Sequence, residues 1–274
     1  MKLKHKAMEM AAIYKENPKI DAILLAGSVA LSWEDEFSDI ELHIIWKEAP
    51  TDKDRNGPIH SVKGRILTYH PYEDEEWSES YITPDGIKLE ISSFLTSTIQ
   101  SFIEDVVMKS DVCFDKQCLI ASIQNGVGLH GQDTINLYKR KVANYPSGLS
   151  TRMISDNLDF GGRWNNRHAL LERKDWLMLY SVLCDVQQKV MGILFGLNSL
   201  YVHHPAYKWM PHKIKQMHIK PNDFLPRMNK ILLGNPRESI VDLERLVNEV
   251  IELVDLHKPE IKIEKPKQNS SFVK

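Results

Sequence analysis

Three carboxylates and a Gly-Ser pair are spaced in this sequence so that they could bind a divalent metal ion and a phosphate group. Asp39 and Glu41 lie two residues apart in one apolar segment, and Glu90 lies in a second one. Gly27 and Ser28 directly follow another apolar segment. Mg²⁺ prefers hard oxygen ligands, and glycine allows backbone N–H groups to approach a phosphate closely. The set predicts metal-dependent nucleotidyl transfer.

The elements that must position these residues are predicted from apolar periodicity. Residues 23–25 read as a buried strand, followed by the Gly-Ser turn, a short helical passage, an acidic loop and a second strand from Ile40. Side chains alternate between the two faces of a strand, so Asp39 and Glu41 point to one face. The opposite face, which a sheet would bury, carries Ile40, Leu42 and Ile44.

A third strand is predicted to bring Glu90 to the same kind of face. Residues 83–86 form a Thr-Pro-Asp-Gly turn signal, and residues 87–91 follow it as a strand. On this strand Lys88, Glu90 and Ser92 share one face, and the apolar residues take the other. Asp39 and Glu41 could then bridge two metal ions, with Glu90 as metal ligand, general base or both.

The remaining pattern predicts an α+β protein with a small mixed β-sheet domain and an α-helical bundle domain. The domains are placed at residues 1–115 and 116–257, with a flexible tail at 258–274 and a ligand cleft between the domains. Further predicted elements are helices at 2–16, 95–108, 175–200 and about 240–254, short strands at 65–70 and 79–82, a last edge strand at 112–114, and a loop at 50–60.

The motif Gly27-Ser28, Asp39-Ile40-Glu41 and Glu90 resembles the nucleotidyltransferase superfamily of the polymerase-beta type. The helical second half resembles the layout of the bacterial antibiotic nucleotidyltransferases that modify aminoglycosides and lincosamides, and of their uncharacterised relatives. The motif covers residues 23–46, with Glu90 in support. It departs from the family at Glu41, where Asp is commoner.

The resemblance implies a mixed sheet flanked by helices, with Mg²⁺ as cofactor and ATP or another nucleoside triphosphate as co-substrate. Gly27 and Ser28 would bind phosphate, Asp39 and Glu41 would bind metal, and Glu90 would be the third carboxylate. The implied reaction transfers AMP to a hydroxyl of a small molecule, with an antibiotic as one candidate acceptor. Two alternatives stay open: an enzyme that modifies a macromolecule, and a non-catalytic nucleotide-binding or antitoxin-like protein.

A second cluster, residues 198–209, packs aromatic residues, histidines and a lysine into one loop after the long apolar helix. Lys208 is the candidate to reach the triphosphate, and Tyr201, Tyr207 or Trp209 could stack a base or an acceptor ring. The competing interpretation is a loop that seals the core between helices.

Two other motifs are assigned no site. Residues 126–131 match G-x-G-x-x-G, but they follow a predicted helix and not a strand, which argues against dinucleotide binding. Residues 161–168, GGRWNNRH, are interpreted as an exposed helix face, with phosphate binding by Arg163 or Arg167 as the alternative. The spacing of Cys113 and Cys118 does not support zinc.

Composition limits the remaining classes of function. Against 35 basic residues stand 37 acidic ones, so the net charge of −2 gives no overall attraction to nucleic acid. Three cysteines without metal-type spacing indicate reduced thiols. The charged N-terminus does not read as a signal peptide, and no apolar run approaches the length of a membrane span. These features predict a soluble cytoplasmic protein.

Overall fold

The computed structural model describes residues 2–272 and divides them into two compact units. The first unit contains the chain up to Met108 together with Leu119–Asn144. The second contains Lys109–Cys118 and the chain from Tyr145 onward. The architecture combines a mixed sheet with helices, so the predicted α+β class is confirmed.

The first unit is built on a sheet of six strands in the order β3-β4-β5-β2-β1-β6. Neighbouring strands are antiparallel except β2 and β5, which run parallel. The strands are β1 Ile20–Ala26, β2 Ile40–Trp46, β3 Arg65–Tyr69, β4 Trp77–Ile82, β5 Lys88–Leu95 and β6 Val127–His130.

Helices cover parts of this sheet. They are α1 Lys2–Tyr14, α2 Gly27–Leu31, α3 Asp52–Ser61, α4 Thr96–Ile103, α5 Phe114–Asn125 and α6 Gln132–Val142, with a π-helical turn Glu104–Met108 after α4. Helix α5 begins in the chain range of the second unit and ends in that of the first. The buried side of α1, including Met10 and Tyr14, packs in one apolar core with Ile40, Leu42 and Ile44 of β2.

The alternation predicted for β2 and β5 is what separates the two faces of the sheet. Ile40, Leu42 and Ile44 are fully buried, and Leu89 and Ile91 of β5 join them in the core. The side chains between them point to the other face, which carries the charged residues. Because each strand has a period of two, burying one face leaves the carboxylates together on the other.

The second unit is helical. Its helices are α7 Ser147–Asn157, α8 Arg167–Arg173, α9 Trp176–Leu197, α10 Met210–Gln216, α11 Phe224–Leu233, α12 Pro236–His257 and α13 Glu264–Ser271. Helix α9 packs closely on α7: a Cβ added at Gly196 would lie 2.9 Å from Ile154. The Ser150 hydroxyl of α7 donates to the Gly196 carbonyl at 2.8 Å.

By length and composition α9 is apolar enough to cross a membrane, and it is the one helix in residues 2–272 that passes this test. Its buried side chains run from Leu179 to Leu197, and Val186, Val190 and Ile193 are fully covered. This burial is typical of the core helix of a helical bundle.

Most of the segment 50–60, which was predicted to be a loop, is helix α3, Asp52–Ser61. The Thr51 hydroxyl accepts a hydrogen bond from the Asp54 amide at 3.3 Å, and the Asp54 carboxylate accepts from the Thr51 amide at 2.8 Å. This reciprocal capping box satisfies two backbone donors at the start of α3. Ile59 is fully buried, so tertiary packing outweighs the Pro, Asn and Gly content that suggested a loop.

The last strand of the sheet is β6, and the predicted edge strand at 112–114 is wrong. Phe114 begins helix α5, whereas the glycine-rich residues 126–131 supply a strand that pairs with β1. A Cβ at Gly126 would lie 2.7 Å from the Leu25 carbonyl, and one at Gly131 would lie 2.1 Å from the Asp21 carbonyl. These glycines allow the backbone around β6 to lie close to β1. The glycine spacing therefore serves strand packing, and its match to a dinucleotide-binding motif is limited to the sequence.

The boundary predicted at residue 115 differs from the division into compact units, because Leu119–Asn144 lies with the sheet. The pairing of β6 with β1 gives the physical reason. The predicted flexible tail contains helix α13, and Ile261 and Ile263 before it are only 7% and 5% exposed. Residues 273 and 274 of that predicted tail lie outside the described residues.

The segment 161–168 is also not an exposed helix face. Trp164 and Arg167 are both buried, and the Arg167 guanidinium lies over the Trp164 ring at 4.3 Å. Arg167 donates to the Glu244 carboxylate at 2.6 Å and to the Phe272 carbonyl at 3.1 Å. A guanidinium has several donors in one plane, and here they tie α8 to α12 and to the C-terminal segment.

Candidate functional site

The parallel pairing of β2 with β5 sets two of the predicted carboxylates side by side. Glu41 is the register partner of Glu90, and both side chains point away from the apolar core. Adjacent strands are about 4.8 Å apart, so registered side chains on one face are near neighbours. Asp39 comes one residue before β2 and belongs to the same face as Glu41.

The ammonium group of Lys88 bridges two of these carboxylates. Lys88 Nζ donates to Asp39 Oδ2 at 2.9 Å and also to Glu90 Oε1. Glu90 first, and Asp39 second, raise the pKa of Lys88 by accepting these hydrogen bonds. The side chains are 38% exposed for Lys88, 23% for Asp39 and 49% for Glu90, so water screens the ion pairs.

Glu41 faces the Gly-Ser turn on its other side. Ala26 is the register partner of Glu41 across β1 and β2, and Gly27 follows with φ +62°. A Cβ built on Gly27 would lie 2.4 Å from the carboxyl carbon of Glu41. Glycine is therefore required twice at this position: for its left-handed backbone and for the space that the Glu41 carboxylate occupies.

The turn leads into α2 with backbone donors at its start. Ala26 is the N-cap residue and makes no side-chain cap hydrogen bond to the first turn. Alanine has no side-chain acceptor, and the first N–H groups of a helix have no intrahelical partner. Ser28 is only 7% exposed, and its carbonyl accepts from the Trp33 amide at 2.9 Å, which closes the short helix.

The polar face continues inward from the carboxylates with His43 and Ser92, which are register partners. Both ring nitrogens of His43 are buried without a hydrogen-bond partner in residues 2–272. Burial lowers the pKa of His43 to about 4. The imidazole, which packs edge-on against Phe94 with ring centroids 5.7 Å apart, is therefore neutral at physiological pH and adds no charge beside Glu41.

No three His, Cys, Asp or Glu side chains in residues 2–272 converge closely enough to hold a metal ion as they stand. In this arrangement the Lys88 ammonium takes up oxygen atoms of Asp39 and Glu90. The ammonium is a cation bound by carboxylates, and carboxylate oxygens are the hard ligands that Mg²⁺ prefers. The donor chemistry of Asp39, Glu41 and Glu90 therefore fits a divalent cation, provided that Lys88 moves away.

The predicted aromatic cluster lies in the second unit and is largely packed. Tyr201 is 2% exposed and Tyr207 is 5% exposed. The Tyr207 ring contacts Phe195 and Phe114, with centroids 5.5 and 5.7 Å away. These contacts agree with the interpretation of a loop that seals the core. Lys208, in contrast, is exposed, and its predicted role toward a triphosphate stays a prediction.

Lys88 is the residue of this face to which the sequence pattern gave no role. The signal was present, because Lys88 and Glu90 are two apart on one strand and must share a face. What the pattern does not contain is the pairing of β5 with β2, which places the ammonium beside Asp39, 49 residues earlier in the chain.

A family model described as "Domain of unknown function (DUF4037)" matches residues 112–210. This range covers about a third of the chain and includes Lys208, but it contains none of Gly27, Asp39, Glu41 and Glu90. No curated protein matches the sequence.

Two solved structures are similar to the chain over most of its length. One is an aminoglycoside 6-adenyltransferase from Bacillus subtilis, at 10% identity and a TM-score of 0.33, covering 96% of this chain and 95% of the other. The second is the Thermotoga maritima CCA-adding enzyme in complex with tRNA, at 12% identity and a TM-score of 0.35, covering 98% of this chain and 68% of the other. Both TM-scores are low, so neither similarity assigns a function to this chain.

Proposed function

We propose that this protein is a divalent-metal-dependent nucleotidyltransferase that transfers AMP from ATP to a hydroxyl group of a small molecule. The observation that carries the proposal is the arrangement of Asp39, Glu41 and Glu90 on one face of β2 and β5, with a cationic group already held between two of them. The Glu41 carboxylate fills the space beside Gly27 that a Cβ would otherwise take, which places a candidate metal ligand against the Gly-Ser turn that would bind phosphate.

In the proposed reaction the acceptor oxygen forms a bond to the α-phosphorus, and the bond from that phosphorus to the bridging oxygen of the β-phosphate breaks. Pyrophosphate leaves, and the proton of the acceptor hydroxyl passes to a base. Divalent metal would supply neutralisation of the phosphate charge and activation of the acceptor oxygen.

The residues of the chain divide the remaining work. Asp39 and Glu41 would hold the metal from β2, and Glu90 would hold it from β5 or accept the proton of the acceptor hydroxyl. Gly27, Ser28 and the uncapped start of α2 would bind the terminal phosphates through backbone N–H groups.

The net charge of the chain bears on the class of acceptor. Extended binding of nucleic acid needs clustered Lys and Arg to neutralise phosphates, and this chain has a net charge of −2. A small hydroxyl compound is therefore the first acceptor class to test. The choice of ATP as donor and of antibiotics among the acceptors follows from the family that the motif resembles.

The experiment measures transfer from α-labelled ATP to a panel of hydroxyl compounds, aminoglycosides and lincosamides included. Asp39→Ala and Asp39→Asn should each reduce transfer by more than about a hundredfold, because a metal ligand is lost while the fold is kept. Glu36→Gln is the matched control, since Glu36 is an exposed acidic residue of the same loop, and it should transfer as wild type does.

Three outcomes separate the alternatives. Transfer by Asp39→Asn at the wild-type rate would overturn the assignment of the site. Metal-dependent binding of ATP by calorimetry, with no transfer to any acceptor, would favour a nucleotide-binding protein over an enzyme. Label found on RNA or on protein, and on none of the small compounds, would favour a macromolecular acceptor.

A further inference from the structure

The ammonium of Lys88 holds two carboxylates that the proposed function assigns to metal. Lys88 Nζ is 2.9 Å from Asp39 Oδ2 and also contacts Glu90 Oε1. Glu41 is the neighbour of Glu90 in the sheet. Carboxylates gathered on one face repel each other, and the Lys88 charge offsets part of this repulsion.

The same ammonium opposes a divalent cation. Metal ions of this class need the carboxylate oxygens that Lys88 now contacts, and two cations of like charge cannot share those oxygens at short distance. The Lys88 side chain is 38% exposed, and exposed ion pairs of this kind are weak. Lys88 can therefore be displaced, but displacement reduces the affinity for metal.

We infer that Lys88 is a built-in competitor for the divalent metal and that it couples metal loading to nucleotide binding; this inference rests on the proposed function. Without nucleotide, Lys88 neutralises Asp39 and Glu90 and keeps metal affinity low. A nucleoside triphosphate brings oxygen ligands for the metal and negative charge for the displaced ammonium. Lys88 is thus a positioning residue that turns from the carboxylates to the triphosphate.

The flexible stem of lysine suits this role. The ammonium is a compact charge at the end of a flexible four-carbon chain. Lys88 is the first residue of β5 and lies two residues before Glu90, so both side chains are on the same face of the strand. A lysine with a purely structural role would stabilise the pair with or without metal. The two roles differ in the affinity for metal measured in the absence of nucleotide.

The test is a titration with Mn²⁺ alone, with free Mn²⁺ measured by electron paramagnetic resonance. Lys88→Met should bind Mn²⁺ about tenfold more tightly than wild type, since a positive charge next to the ion is removed. Lys88→Arg should stay within about twofold of wild type because it keeps the charge. In the transfer assay, Lys88→Met should raise KM for ATP more than it lowers kcat.

Lys47→Met is the matched control for loss of one lysine from the same sheet. Lys47 follows β2 directly, and its Nζ donates to the Pro18 carbonyl at 3.1 Å. Its affinity for Mn²⁺ should equal that of wild type. Thermal melting in EDTA verifies folding, and Lys88→Gln replaces Lys88→Met if the latter does not fold.

The outcomes distinguish the two proposals. Equal or weaker Mn²⁺ binding by Lys88→Met, at a site that Asp39→Asn removes, would overturn the role of Lys88 and leave the proposed function standing. Mn²⁺ binding that Asp39→Asn does not change, in the wild type and in Lys88→Met alike, would overturn the proposed function itself. Tighter binding by Lys88→Met that disappears in the double variant with Asp39→Asn would support both.

Discussion

Two regions contain residue types that catalysis or binding can use: the charged face of the sheet in the first unit and the aromatic loop in the second unit. They differ in how far their side chains are exposed to solvent. Asp39, Lys88 and Glu90 are 23%, 38% and 49% exposed at their side chains. Tyr201 and Tyr207 are 2% and 5% exposed. A charged side chain stays near water unless it is fully paired, whereas burial of an aromatic side chain stabilises the folded state.

Of the two sequence signals, strand periodicity predicts which side chains stay accessible better than residue composition does. In β2 the period of two separates apolar from acidic residues, so one pattern predicts both the buried face and the accessible one. Residues 198–209 have no such period, and their aromatic side chains complete the core of the second unit. Composition alone therefore identifies a cluster without saying whether a ligand can reach it.

The largest expected effect comes from filling the space beside Glu41. Gly27→Ala adds a Cβ where the Glu41 carboxylate now lies, 2.4 Å away, so that carboxylate must move. Transfer activity should fall by about a hundredfold or more. The backbone at φ +62° should cost about 1–2 kcal/mol of stability. Initial rates and urea unfolding measure the two effects.

Gly86→Ala is the control for that substitution. Gly86 has φ +82°, and nothing lies within 4 Å of an added Cβ. It should lose about 1–2 kcal/mol of stability and keep full activity. If Gly27→Ala were as active as Gly86→Ala, the contact between Glu41 and Gly27 would have no part in catalysis. The charged face would then be better explained as an ordinary solvent-exposed surface of the sheet.

Tyr207→Ala tests the aromatic loop as core. Removing a ring that contacts Phe195 and Phe114 should reduce the free energy of unfolding by about 3 kcal/mol. Tyr207→Phe should change it by less than about 1 kcal/mol, because the buried hydroxyl has no partner in residues 2–272. Urea unfolding at equilibrium measures both variants.

Lys208→Ala sharpens the same comparison. Lys208 is exposed, so its loss should leave the unfolding free energy within about 0.5 kcal/mol of wild type. If its predicted role toward the triphosphate is right, KM for ATP should rise severalfold. An unchanged KM, together with the effect of Tyr207→Ala, would make the whole loop structural.

A further effect in the second unit concerns the dependence of stability on pH. Burial, and then the charge of Lys213, lower the pKa of His203 to about 4, although its Nε2 donates to the Lys208 carbonyl at 2.5 Å. The unfolded chain has the ordinary pKa near 6.5. Below about pH 6.5 the unfolded state therefore takes up protons more readily, and stability falls between pH 6.5 and 4.

Replacing His203 should remove this part of the pH dependence. With allowance for partial solvent screening, it amounts to about 1–2 kcal/mol. His203→Gln keeps a donor for the Lys208 carbonyl, and its unfolding free energy should decline less steeply from pH 6.5 to 4. His218→Gln, at an exposed position, should retain the wild-type slope. Equal slopes for wild type and His203→Gln would show that this imidazole is not held neutral by burial.

Local pattern predicted β2, β5, α1 and α12 from apolar residues that repeat at the period of the element, and it predicted β1 and α9 from nearly continuous apolar runs. It missed α3, whose capping box and buried Ile59 outweigh poor helix formers. It also missed β6, because a strand rich in glycine has no apolar alternation and is defined by the partner strand β1.

The sequence by itself determined the acidic face, since alternation with buried Ile40, Leu42 and Ile44 leaves Asp39 and Glu41 on the same side. Only the tertiary structure decided that Glu90 lies beside Glu41, that Gly27 leaves room for the Glu41 carboxylate, and that Lys88 holds Asp39. The physical reason is that strand pairing joins residues far apart in the chain. Periodicity within one strand assigns a face, but it does not assign a neighbour.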